Sequence, residues 1–244
     1  MDCVDIIMPA YNCEKYISKA IESVKKQTYK NWKLIIINDK STDNTKKEIE
    51  KYLDEKILLI NLEKHVGVAE ARNIGMEKSQ NRYIAFLDAD DMWKENKLEL
   101  QLKFMKQNNY EFTYTSFLYL KNGKEKQVKK IQESLNYKQA LKNTIILTST
   151  VMIDTKKIEK FKMPSIYSED TATWWKILKK EKTAYGLNEV LTIYRITPQG
   201  LSANKFKNLN KTWSLYRKHE KLSLIKSIYC FTNYIINAIN KRIA

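Results

Sequence analysis

Residues 83–91 read Tyr-Ile-Ala-Phe-Leu-Asp-Ala-Asp-Asp, an apolar run closed by three carboxylates within four positions. Side chains at i and i+2 of a strand point the same way, so Asp88 and Asp90 would project from one face at a strand's carboxyl end. Two like charges held that close repel, and a divalent cation held by hard oxygen ligands relieves the repulsion. A cation that takes only two protein carboxylates keeps room for phosphate oxygens. Taken alone, a solvated acidic turn after a strand explains the same letters equally well. Two further apolar runs also end in polar residues: Pro9-Ala10-Tyr11-Asn12 follows the first, and Asn38-Asp39-Lys40-Ser41-Thr42-Asp43 the second. Tyr11 can stack on a base, Asp39 can accept from a base imide, and a metal can bridge phosphates, so the three ends together suit a nucleotide. Singly, Tyr11 reads as a loop anchor and residues 39–43 as a turn with a helix cap.

The elements that would position these residues follow from the periodicity. Residues 4–8, 34–37, 57–60 and 83–87 are short runs rich in branched apolar residues, and helical patterns separate them: the stripe Tyr16, Ala20, Val24, then residues 45–53, then 67–78. This alternation predicts an α/β fold, a mostly parallel Rossmann-like sheet flanked by helices with right-handed crossovers. Ligands of such sheets bind beyond the carboxyl ends of the strands, where the strand order switches. Later elements are predicted as a helix over 99–106, extended segments over 112–120 and 148–153, a hairpin at Asn122-Gly123, and two short strands within 186–197. Ser168 is placed as the cap of a helix that begins Glu169-Asp170 and continues through Trp174, Trp175 and Leu178.

The chain of 244 residues is long enough for one large domain plus an appendage. We divide it into a catalytic domain over 1–203, with a nucleotide-binding half over 1–91 and an acceptor-binding half over 92–203, and a basic amphipathic helical extension over 204–244. Lys and Arg number 44 against 28 Asp and Glu, a net +16, and the last segment alone carries nine basic residues and one acid, half of the excess. Such clustering points to an anionic partner. Apolar residues recur there at Leu222, Ile225, Ile228, Tyr229, Ile235, Ile236 and Ile239, as in a helix lying in an anionic membrane interface. Packing of that stripe on the catalytic domain, or on a second subunit of a homo-oligomer, accounts for it as well. Residues 227–240 lack charge but are too short and polar for a membrane span. Cys3, Cys13 and Cys230 show no disulfide framework, and no secretory signal precedes the first strand, so a cytoplasmic protein, peripheral on the inner face of the membrane, is expected.

With these residues laid out, the chain resembles the inverting family 2 glycosyltransferases of the GT-A fold over residues 4–202. The marks are Ile7-Met8-Pro9-Ala10-Tyr11-Asn12, Ile37-Asn38-Asp39 with Ser41-Thr42-Asp43, Gly67-Val68-Ala69 with Ala71-Arg72-Asn73-Ile74-Gly75, Phe86-Leu87-Asp88-Ala89-Asp90-Asp91, and Ser168-Glu169-Asp170. The resemblance implies a UDP-sugar donor bound by Pro9, Ala10, Tyr11, Asn12, Asp39, Arg72, Asp88 and Ala89. Tyr11 and Asp39 would hold uracil, and Arg72 would lie near base or diphosphate. It further implies a divalent cation, Mn²⁺ or Mg²⁺, on Asp90 with Asp88. Asp170 would be the base that deprotonates a hydroxyl of a glycan or lipid-linked acceptor, with Glu169, Trp174 and Trp175 on the acceptor side.

The sequence departs from the family pattern in three places, one being that glycine is scarce in the loop 197–204, where Gly200 alone allows the motion of a loop that would close over the donor. Asn38 and Lys40 replace an acid and a Gly around Asp39, and Tyr194-Arg195 is followed by Ile196 and Thr197 where a His is common, leaving Thr197 or Gln199 for that role. Rival classes fit less well. A nucleic-acid-binding protein matches the charge but lacks a stacking platform or recognition motif. A metal-dependent nucleotidyltransferase could share the sheet and metal site but would need no acceptor base at Asp170. A dehydrogenase would need Gly-x-Gly-x-x-Gly where Pro9-Ala10-Tyr11 stands.

Overall fold

The computed structural model describes residues 2–121, 123–127, 131–143, 146–180, 182–197 and 205–243. Strands β1 (Val4–Ala10), β2 (Trp32–Asn38), β3 (Ile57–Asn61) and β4 (Tyr83–Phe86) form a parallel block in the order β3-β2-β1-β4. Alternate residues of each strand feed different layers. Ile7, Ile35, Ile37 and Phe86 enter one apolar cluster, and Ile6, Met8, Leu34, Ile36 and Ala85 the other. Both faces of β1, β2 and β4 are therefore covered, which is why they read as continuous apolar runs, whereas the edge strand β3 is partly exposed. Helices α1 (Ile17–Lys25) and α2 (Thr45–Glu50) serve the second cluster, and α3 (Val68–Lys78) the first. The chain crosses from the β3 side of β1 to β4 on its other side, so the switch in strand order opens beyond the carboxyl ends of β1 and β4.

Beyond β4 the sheet becomes mixed. After β5 (Met92–Trp93) and α4 (Lys97–Gln107) come β6 (Phe112–Lys121), β7 (Lys124–Gln127), β8 (Ser134–Leu135), α5 (Tyr137–Ala140), β9 (Met152–Asp154), α6 (Glu169–Lys179) and β10 (Ala184–Arg195). β9 lies antiparallel between β4 and β6, β10 runs parallel to β6, and β5 pairs antiparallel with β10. The hairpin expected near Gly123 joins β6 to β7, with Gly123 at φ +73; Asn122 lies outside the described residues. Two expectations are corrected. Residues 148–153 are not one extended segment, because a 3-10 turn at Thr148–Thr150 precedes β9. The two short strands expected within 186–197 are one strand, β10, whose register against β6 shifts on either side of Val190.

The C-terminal segment comprises α7 (Lys205–Ser214), a π-helical turn (Leu215–His219) and α8 (Leu224–Ile243). Its middle completes the main core: Leu215, Tyr216, Leu222 and Cys230 are buried in the cluster that holds Phe86 and Trp174. Tyr216 stacks on Trp175 at 5.3 Å, and its hydroxyl donates to the Leu141 carbonyl. Glu220 accepts from Lys179 at 3.1 Å and from the Tyr137 hydroxyl. Leu224, Ile225, Ile228 and Ile236 of α8 face solvent. Among the described residues no helix is long and apolar enough to cross a membrane.

Candidate active site

The site is assembled from strand ends. Pro9 and Ala10 are buried inside β1. Ile7 accepts from Leu87 on the β4 side, and Pro9, two residues on, points to the same side beyond the last residue that β4 pairs, so its missing N–H costs no ladder bond. Ala10 accepts the Asp39 amide at 2.8 Å, bringing the two strand ends together. Asn12 adopts φ +46, a left-handed conformation that Asn tolerates, and its side chain accepts from the Thr42 amide at 2.8 Å. Lys40 also sits in the left-handed region, at φ +55, the conformation that a Gly would take freely. Asn38 donates to Asn61 at 2.8 Å and accepts from the Ser41 amide at 3.1 Å, so it shapes the loop.

Asp39 is 2% exposed. Oδ1 accepts from the Val66 amide at 2.7 Å and Oδ2 from the Gly67 amide at 2.8 Å, which fixes the entry to α3. Gly67 there has φ +86, open to Gly without strain. Nδ1 of His65 lies 2.9 Å from Oδ2, and its ring stacks on Tyr11 with centroids 4.1 Å apart. Tyr11 and Asp39 do meet at one place, as the sequence implies, and His65 joins them.

The acidic loop after β4 is held in shape by groups that sequence reasoning did not assign to the site. Ser149 Oγ accepts from the Asp88 amide at 3.0 Å and donates to Asp91 at 2.5 Å, while the Arg195 amide donates to the other oxygen of Asp91 at 2.9 Å. Asp91 is thereby turned inward and buried, and Ala89 is buried beside it. Burial first, and then the charges of Asp90 and Asp88, raise the Asp91 carboxyl well above the ordinary range. Nε of Arg195 donates to the Asp90 carbonyl at 3.0 Å. The Asp90 carboxyl is pushed up to about 6, mainly by burial and then by Asp88, against a smaller pull from Arg195 and Arg72. Among the described residues no three His, Cys, Asp or Glu side chains gather as a metal cage. What Asp90 and Asp88 offer is a pair of hard oxygens under mutual repulsion, a donor set that fits a divalent cation whose remaining coordination comes from phosphate and water.

Arg72 is 3% exposed and spends itself inside the protein. Nη2 lies 2.6 Å from Asp88 and Nη1 2.7 Å from Glu169. Burial works against its charge, but the two carboxylates outweigh it and raise its pKa. Arg72, which the resemblance puts near base or diphosphate, joins the acidic loop to the start of α6. Glu169, expected on the acceptor side, is that bridge's other end. Burial and then Asp170 raise its pKa despite Arg72.

Asp170 opens α6. Oδ1 accepts from the Thr171 amide at 2.6 Å and Oδ2 from Thr148 Oγ1 at 3.2 Å. Thr148 and Ser149 are neighbours, so one 3-10 turn holds both Asp170 and the acidic loop. A run of hydroxyls, Thr148-Ser149-Thr150, was the available signal. The expectation that Trp174 and Trp175 stand open on the acceptor side is corrected. Both are buried, Trp174 against Phe86 and Phe112 of the sheet, and Trp175 between α5 and Tyr216 of the C-terminal segment. Gln199 and Gly200 lie outside the described residues.

Residues 5–165 match the family model for Glycosyl transferase family 2. The putative teichuronic acid biosynthesis glycosyltransferase TuaG of Bacillus subtilis (strain 168) is 43% identical over 245 residues, covering 98% of this chain and 97% of that protein. The UDP-Glc:alpha-D-GlcNAc-diphosphoundecaprenol beta-1,3-glucosyltransferase WfgD of Escherichia coli is 37% identical, covering 98% and 94%. Among solved structures, S. aureus TarS 1-349 in complex with UDP-GlcNAc superposes with a TM-score of 0.71 at 16% identity, over 96% of this chain and 72% of that one. Mannosyltransferase PcManGT from Pyrobaculum calidifontis, in complex with GDP-Man and Mn2+, superposes with a TM-score of 0.71 at 15% identity, over 94% and 68%.

Proposed function

The chain belongs to glycosyl transferase family 2 and is a glycosyltransferase with the GT-A fold, and from that premise we propose that it moves a hexose or N-acetylhexosamine from a UDP-sugar to a hydroxyl of a lipid-linked glycan, in the assembly of a surface polysaccharide. The observation that carries the reading is the turn at Thr148–Thr150, which sets a carboxylate base and an acidic donor loop on one rigid support. Relatives named for teichuronic acid synthesis and for a diphosphoundecaprenol acceptor support the acceptor class.

In this reading Tyr11 and Asp39 take the uracil, and the donor diphosphate lies at the acidic loop. A divalent cation held by Asp90 and Asp88 would neutralise charge developing on the departing diphosphate. Asp170 removes the acceptor hydroxyl proton as that oxygen bonds to the anomeric carbon, and the carbon–oxygen bond to UDP breaks on the opposite face, its electron pair leaving with the diphosphate. One displacement inverts the anomeric configuration. Thr148 and Thr171 orient Asp170 while leaving Oδ2 a free lone pair for the proton. Arg72 keeps Asp88 and Glu169 in place. The test is UDP release and product formation from UDP-glucose, UDP-galactose and their N-acetyl forms, with and without Mn²⁺, on a polyprenyl-diphosphate-linked acceptor. Asp170→Asn should bind UDP normally and lose roughly a hundredfold to ten-thousandfold in rate; full turnover in that variant would refute the assignment.

The reading places the enzyme on the anionic inner surface of the membrane. Support comes from α8, where Leu224, Ile225 (82% exposed), Ile228 and Ile236 lie open with Lys221 and Lys226 exposed alongside. Apolar residues for the interface and cations for headgroups are the chemistry of an interfacial helix. Removing the whole segment would also strip Leu215 and Tyr216 from the core, so the informative variant is Ile225→Glu with Ile228→Glu. It should lose co-sedimentation with anionic vesicles while staying folded, and unchanged vesicle binding would count against the surface.

A further inference from the structure

The ring of His65 already makes the two contacts that a uracil would need. It stacks on Tyr11 with 29° between the planes, and its Nδ1 lies 2.9 Å from Oδ2 of Asp39 and 3.3 Å from the Asp39 carbonyl oxygen. Both oxygens only accept, so Nδ1 carries the hydrogen. Uracil offers the same pair of features, a flat ring for Tyr11 and an imide N–H for Asp39. The two cannot be accommodated together in this arrangement. A base sandwiched between the rings needs about 3.5 Å on each face, about 7 Å in all, and the centroids stand 4.1 Å apart. On the carboxylate, Oδ2 accepts from both the Gly67 amide and His65, and Oδ1 from the Val66 amide, so His65 holds the place on Oδ2 that an imide N–H would take.

The surroundings allow His65 to leave without disturbing what remains. Its side chain is 50% exposed whereas that of Asp39 is 3% exposed, so rotation into solvent frees one position on a carboxylate that the buried backbone amides keep in place. We propose that His65 is a resident surrogate for the nucleobase, which fills the base pocket of the free enzyme and must be displaced by the incoming donor. This rests on the reading that Tyr11 and Asp39 receive uracil. The donor then finds an aligned pocket that is open only part of the time, and the observed affinity falls by the open fraction. Ligands that reach only the acidic loop do not meet the plug.

Calorimetry with UDP in saturating Mn²⁺ tests this on the full chain, for the wild type, His65→Ala and His65→Phe. A plug shut about nine-tenths of the time raises the apparent Kd about tenfold, so His65→Ala should bind UDP about tenfold more tightly. His65→Phe, which keeps a ring for Tyr11 but no Nδ1–H for Asp39, should fall between the two. Pyrophosphate should bind all three alike. In stopped flow, the observed UDP association rate of the wild type should level off at the rate of plug opening, and that of His65→Ala should rise linearly. Unchanged or weaker UDP binding by His65→Ala, with pyrophosphate binding intact, overturns the surrogate role while the nucleotide site stands. Absence of UDP uptake by both wild type and His65→Ala overturns the site itself.

Discussion

Replacing Asp90 with Asn should make the ligand-free enzyme more stable and at the same time unable to hold its donor. The Asp90 carboxyl is raised from 3.8 to about 6, first by burial and then by Asp88. Between those two values the folded chain holds a proton that the unfolded chain has released, so stability falls as pH climbs through that window and the deficit is complete above about 6. At about 1.4 kcal/mol per pH unit, the whole displacement corresponds to about 3 kcal/mol. Because the charge of Asp90 also bears on buried Asp91, some of the relief is shared, and a gain of about 1–3 kcal/mol is expected for Asp90→Asn at pH 7.5. Denaturant unfolding in EDTA, followed by tryptophan fluorescence, measures it. The gain should shrink steadily toward pH 4, where the wild-type carboxyl is itself neutral. Mn²⁺ with UDP at about a hundred times Kd should then stabilise the wild type by about 2.7 kcal/mol and leave the variant unmoved. Equal or lower stability of the variant in EDTA at pH 7.5 would refute the argument that this carboxylate is held under repulsion for a ligand's benefit.

Gly75→Ala should destabilise by about 1–3 kcal/mol even though Ala favours helix, because its Cβ would meet Ile7 at 2.5 Å and Ile37 at 2.7 Å and lift α3 from the sheet; an unchanged melting temperature would contradict this. Lys97→Met should stabilise at pH 7. The Lys97 amine is fully buried without a hydrogen-bond partner, over the Trp93 ring at 3.7 Å, and burial drives its pKa well below 10.5. The unfolded chain there binds a proton that the folded chain resists, so wild-type stability should climb toward alkaline pH, and the variant should flatten that climb. Tyr216→Ala should cost about 3–5 kcal/mol through the cavity it leaves against Trp175, read by the same denaturant unfolding.

The parallel half of the fold was legible because β1, β2 and β4 are buried on both faces, so each appears as an unbroken apolar run that ends where polar residues begin. Asp39, Asp88 and Asp90 stand out as candidates for that reason. Residues 148–150 escaped because three β-favouring hydroxyl residues look extended by propensity, whereas bonds to Asp91, Asp88 and Asp170 curl them into a turn. The burial of Trp175 could not be read locally, because the residue that covers it, Tyr216, comes about forty positions later in the chain. Spacing along the chain cannot show that Arg72 also reaches Glu169, which lies 2.7 Å from it across the fold. His65 lay outside every motif, its partners Tyr11 and Asp39 lying on other strand ends.

Ser149 bears on how new specificities could be built from this scaffold. A junction at residue 91, the boundary proposed between donor and acceptor halves, would hand Asp91 and its Ser149 partner to different parents. Hybrids that transplant acceptor recognition should therefore inherit the 148–150 turn from the same parent as the acidic loop, and shuffling libraries ought to treat the two as a single indivisible cassette.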